Sequence, residues 1–112
     1  MDDEYGFVER AKINAIADTV NQWDRARFLN ECVKKGISPN FTADGMLKII
    51  DELKQNEDYD VYVIIESCFG NEWFVRVGYH AHGHANLEPT AQCQDILEAV
   101  YRVYFIWKEY NG

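Results

Sequence analysis

A chain of 112 residues, 47% hydrophobic and 27% charged, has the size and composition of one globular domain, with a core that needs neither disulfides nor a metal to hold it. Extended disorder is excluded on the same grounds. Nineteen acidic against eleven basic residues leave a formal net charge of −8, which disfavours direct binding to nucleic acid, where a basic face is the electrostatic requirement.

From Phe7 to Trp23, the residues Ile13, Ile16, Ala17, Val20 and Trp23 recur at helical spacing and define one apolar stripe. Phe28, Leu29, Cys32 and Val33 are out of phase with that stripe by about a third of a turn at ~100° per residue, so the helix breaks near Trp23-Asp24. Asp24 can cap a second helix, and Gly36 after Lys34-Lys35 can end it. "ISPNF" is a connection because of Pro39. A third helix follows, capped by Thr42 or Asp44, with Met46, Leu47, Ile50 and Leu53 on its buried face and the polar "KQNED" at its end.

"YDVYVIIESCFGNEWFVRVGYH" reads as a β-hairpin turning at Gly70-Asn71. A two-residue loop there pairs Cys68 with Trp73, Glu66 with Val75, Ile64 with Val77 and Tyr62 with Tyr79, all on the core side. A closing helix is predicted from Pro89-Thr90, with Cys93, Ile96, Leu97, Val100, Tyr104 and Trp107 as its main stripe. Tyr101, Phe105, Ile106 and Tyr110 fall outside that stripe, so this helix is either buried on several sides or docks a partner; a strand over Val100 to Trp107 is the alternative. The expected fold class is α+β in a single domain, 1–112: N-terminal helices, a central antiparallel β-hairpin or small sheet, and a long C-terminal helix.

Chemistry-bearing residues are few. His80, His82 and His84 alternate, so on a continuing strand all three would share one side and could hold zinc. Neighbouring alternate positions lie about 6 to 7 Å apart, however, which lets two ligate and needs a third ligand from elsewhere. With Gly83, Asn86 and Pro89 close by, the segment reads instead as a polar strand exit, and no metal or other cofactor is expected. Cys32, Cys68 and Cys93 have no CxxC spacing and fall on apolar stripes, which suits buried, inert thiols in a reducing compartment. GxSxG, P-loop and GxGxxG motifs are absent, and no pair of carboxylates stands out as acid and base, so nothing argues for an enzyme. "MDDEYGFVERAK" is acidic where a secretory leader is basic and then apolar, and no apolar run approaches the ~20 residues of a membrane span; the expectation is a soluble cytoplasmic protein. Three helices before a hairpin also match a winged helix, but a recognition helix over Thr42–Gln55 would bring Asp44, Asp51 and Glu52 to phosphate with only Lys48 and Lys54 to offset them.

The run "EWFVRVGYHAHGHANLEPTAQCQDILEAV" resembles the C-terminal part of small phage-encoded proteins of the α-β-α sandwich type: a Trp-bearing strand, a Gly-Ala loop, then Thr-Ala opening a helix. The resemblance covers about a quarter of the chain, and Gln92-Cys93-Gln94 is more polar than the alanine-rich helix start of that pattern. It implies phage origin and brings no binding or catalytic residues with it.

The dense acidic run "DELKQNEDYD" and the surplus of aromatic residues point to protein binding. The expected function is a small acidic inhibitor, of the phage anti-defence (anti-CRISPR-like) or toxin-immunity type, that covers the basic surface of a nucleic-acid-handling partner such as a nuclease. Asp51, Glu52, Glu57, Asp58 and Asp60 would supply the charge, and Tyr101 and Phe105 the aromatic anchors. The alternative is a metal-binding protein or hydrolase using His80, His82 and His84.

Overall fold

The computed structural model describes residues 2–39, 41–55, 60–68, 70–80 and 89–112. Along the chain these form α1 (Asp2–Gln22), α2 (Arg25–Lys34), α3 (Ala43–Lys54), β1 (Asp60–Cys68), β2 (Glu72–His80), β3 (Thr90–Cys93) and α4 (Ile96–Asn111). The architecture is α+β, with a three-stranded antiparallel sheet ordered β1-β2-β3.

Local signals set the helix ends. The Asp24 carboxylate accepts from the Arg27 amide at 2.8 Å and starts α2. At the other end Gly36 takes φ +78°, the Ile37 amide reaches the Cys32 carbonyl and the Gly36 amide reaches Val33, which satisfies two carbonyls of the last turn. Thr42, rather than Asp44, caps α3 by accepting from the Gly45 amide at 3.1 Å. The buried stripe of α3 is rotated from the predicted one: Ile49 is its core residue and Met46, Ile50 and Leu53 are half-buried, while Leu47 is 55% exposed. Met46, Ile49, Ile50 and Leu53 follow the i, i+3, i+4, i+7 rule, and Leu47 lies off that face.

The hairpin turns at Gly70 and Asn71, both at positive φ, but its register is one residue away from the predicted one. Cys68 pairs with Glu72, Ser67 with Trp73, Ile65 with Val75, Val63 with Val77 and Val61 with Tyr79. The loop therefore spans three residues, 69–71, and a slip of one position moves a whole strand's side chains to the other face. Val61 and Val63, not Tyr62 and Ile64, join Val75 and Val77 against the helices. On the opposite face Tyr62 lies across Gly78, where an added Cβ would come within 2.4 Å of the tyrosine ring. Gly78 is thus the residue that lets this ring lie flat on the neighbouring strand.

Thr90–Cys93 is the third strand, not the first turn of the closing helix. It pairs with β2 from Trp73↔Cys93 to Arg76↔Thr90, placing Ala91 in the core opposite Val75. The Pro89 carbonyl accepts from the Val77 amide at 3.2 Å, and proline at a strand's approach loses no ladder bond. Helix α4 starts later than predicted, at Ile96 rather than Pro89-Thr90, where the Asp95 carboxylate accepts from the Leu97 amide at 2.9 Å. Val100 to Trp107 is helical, which removes the strand alternative.

Helix α4 is the centre of the molecule. It packs on α1, α3, β2 and β3, and Ala99, Val100, Tyr101, Val103, Phe105, Ile106 and Trp107 all belong to the core. A helix apolar on nearly every side is what such a position requires. Trp107 keeps its polar atom satisfied by donating from Nε1 to the Val77 carbonyl at 3.3 Å.

Candidate functional site

The outward face of α3 carries a net acidic set of charges, with Lys48 exposed between Asp44 and Asp51. Asp44, Asp51 and Glu52 are exposed on it, and the sequence of the acidic run continues beyond the helix. Asp51 makes no ion pair among the described residues, so its charge is available to a partner. Glu52 is different: Oε1 lies 3.8 Å from Lys108 Nζ on α4, and the carboxylate also accepts from the Tyr104 hydroxyl. Burial first, then that bond and the negative charge of Glu52, push the Tyr104 hydroxyl well above the usual phenol range. Glu52 therefore clips α3 to α4 besides adding charge to the surface. Glu57 and Asp58 lie outside the described residues, and Asp60 is placed only as the first backbone position of β1.

Tyr101 and Phe105 are corrected from surface anchors to core residues. Each is 4% exposed. Phe105 meets Trp23 and Phe28 edge-on, at 5.4 and 5.9 Å between ring centres, and Tyr101 lies 5.1 Å from Phe41. Neither can reach a partner without unfolding α4 from its neighbours.

Sequence reasoning missed Arg102 and Glu98, two charged residues buried on α4 at 4% and 8% exposure. Arg102 Nη1 donates to the Val20 carbonyl at 2.6 Å and Nη2 to the Trp23 carbonyl at 2.9 Å, closing the open end of α1. Its Nε donates to Glu98 Oε2 at 3.2 Å, its guanidinium sits 4.7 Å from the centre of the Phe28 ring, and Arg25 approaches Glu98 Oε1 at 3.4 Å. The planar fork of arginine allows one side chain to satisfy all three acceptors. The available signal was Glu98–Arg102 at i, i+4 in a stretch with apolar residues on every side, where no surface remains for an ion pair.

Cys32 is fully buried in α2, and desolvation raises its thiol to about 11. Cys93 is half-buried and lies in β3 rather than in a helix; burial raises its thiol to about 12. Both are protonated at neutral pH and poor nucleophiles. Among the described residues no group of three or more His, Cys, Asp or Glu side chains could hold a metal ion. His80 is placed only by its backbone at the end of β2, and His82 and His84 lie outside the described residues. No helix among the described residues is long and apolar enough to cross a membrane.

Comparison with protein-family models, with curated proteins and with solved structures finds no match for the chain. The site is therefore built from its own residues alone.

Proposed function

We propose that the chain is an acidic protein-binding inhibitor that covers the basic surface of a nucleic-acid-handling partner, in the manner of phage anti-defence and toxin-immunity proteins. The observation that carries this reading is the outward face of α3, where Asp44 and Asp51 stand exposed in a molecule of net charge −8. Two carboxylates against the one lysine between them, Lys48, leave this face net negative, and a net negative face speeds encounter with a surface of opposite sign. Binding then draws on charge, not on the aromatic residues of α4, which the core already uses.

The test has two stages. The immobilised chain is first exposed to lysate of its source cells at low salt, beside a variant carrying Asp51→Asn, Glu57→Gln and Asp58→Asn. A basic, nucleic-acid-binding protein retained by the chain and lost with the variant is the expected result. The second stage measures binding of that protein to duplex DNA or to RNA in the presence of the chain, which should compete. Retention unaffected by the substitutions, or nucleic-acid binding left undisturbed, contradicts the reading.

A further inference from the structure

The two edges of the sheet are built differently. β3 is four residues long and preceded by Pro89, so little free ladder is offered there. β1 runs for nine residues, Asp60–Cys68, pairs with β2 throughout without a bulge, and contains no Pro, Gly, Lys or Arg. Among the described elements it is hydrogen-bonded on one side only. Of the usual devices against pairing with another strand, this long edge rich in Val, Ile and Tyr has, among the described residues, no proline, lysine or bulge, and Glu66 is its one exposed charge.

We infer that this edge pairs with β1 of a second copy of the chain, antiparallel across a two-fold axis, to form a continuous six-stranded sheet. Three features of β1 suit pairing with its own twin. Opposing residues in an antiparallel pair share a face, so only registers that match odd with odd positions keep the helices of both copies on one side of the sheet. Among these, placing Ile64 opposite Ile64 is the register that pairs all nine residues. The same register sets Tyr62 opposite Glu66 and Asp60 opposite Cys68, with no like charges facing; centring on Val63 would set Asp60 against Glu66.

Burial along β1 is complementary in the same sense. Val61 to Ile64 are half-buried, while Ile65, at 37%, Glu66 and Ser67 are exposed. Antiparallel pairing lays the exposed half of each strand beside the covered half of the other, so Ile65 of one copy lies next to Val63 of its twin. A two-fold contact of this kind uses one patch on both copies and closes on itself, which stops the edge from recruiting further chains.

Sedimentation velocity across a dilution series tests the inference on the intact chain. The expected mass is twice 13.1 kDa at high concentration, falling towards 13.1 kDa on dilution. Ile64→Lys places two ammonium groups face to face at the axis and should weaken association by about tenfold or more. Trapping provides a readout that does not depend on that variant folding. In a Cys68→Ser background, Ile64→Cys should form an intermolecular disulfide on mild oxidation, since directly opposed residues lie within bridging distance, whereas Tyr62→Cys, which faces Glu66, should not. A mass of 13.1 kDa at every concentration overturns the inference, as does a dimer indifferent to Ile64→Lys or cross-linked equally well from Tyr62→Cys.

Discussion

Helices α3 and α4 lie side by side and divide the work of the molecule. α4 is enclosed by α1, α3 and the sheet, and its aromatic residues fill the space between them. α3 buries one stripe around Ile49 and turns Asp44, Leu47, Lys48 and Asp51 to solvent. Both carry features that suggest an interface when read as sequence, aromatic surplus in one and acidic density in the other. The difference shows that aromatic surplus follows from being the central element, which has several walls to fill, whereas charge turned outward on a helix has no packing role to account for it.

The largest effects should come from α4. Phe105→Ala removes a ring that meets both Trp23 and Phe28 and should cost about 3 to 5 kcal/mol in denaturant unfolding. Arg102→Ala should cost a similar ~3 to 5 kcal/mol, because it strands the Glu98 carboxylate and two carbonyls at the end of α1 in a dry interior. Loss of less than ~1 kcal/mol in either variant would mean that α4 is not the enclosed helix and would break the comparison.

A smaller effect follows from the cap. Asp95→Ala should cost about 1 kcal/mol and fray the start of α4, visible as faster amide exchange at Leu97. Raised pH should also loosen the core. The Cys32 and Cys93 thiols titrate near 11 and 12 in the folded chain against an ordinary 9.0, so the unfolded chain gives up their protons first. Their contribution is complete below pH 9 and is lost as pH climbs from there towards 12, so the melting temperature should fall across that window. Replacing both cysteines with Ala should flatten the decline.

On α3 the expected stability changes are small. Glu52→Gln removes the link to Lys108 and should cost at most ~1 kcal/mol, as for other exposed pairs. Asp51→Asn should stay within ~0.5 kcal/mol. A large loss at Asp51 would show that its charge is used inside the fold, and would sharpen the comparison against the proposed function.

How much of this was legible depended on how local each determinant is. Asp24, Gly36 and Thr42 act on amides and carbonyls within a few residues of themselves, so the first three helices could be placed from the chain alone. The hairpin turn at Gly70-Asn71 was legible for the same reason. Its register was not, because two- and three-residue loops can both use that dipeptide and only packing against α4 decides which face is buried. β3 was hidden by Pro89-Thr90, which imitates a helix start, while Ala91, Gln92 and Cys93 gain their strand conformation from pairing with β2. Of the candidate site residues, Asp51 is exposed on α3. Tyr101 and Phe105 are not, since burial on a third and fourth side depends on neighbours far away in the chain.

The central claim is that charge on and beyond α3, rather than the aromatic surface of α4, drives association. The most direct measurement is the association rate with the recovered partner as a function of ionic strength, for the chain and for its Asp51→Asn, Glu57→Gln, Asp58→Asn variant. Exposed charges are screened over about 8 Å at physiological salt, so the rate for the unaltered chain should fall steeply as salt is added. The variant should associate more slowly at low salt, show a flatter dependence and keep its melting temperature. Equal rates for the two proteins at low salt, with the same dependence on ionic strength, would contradict the account.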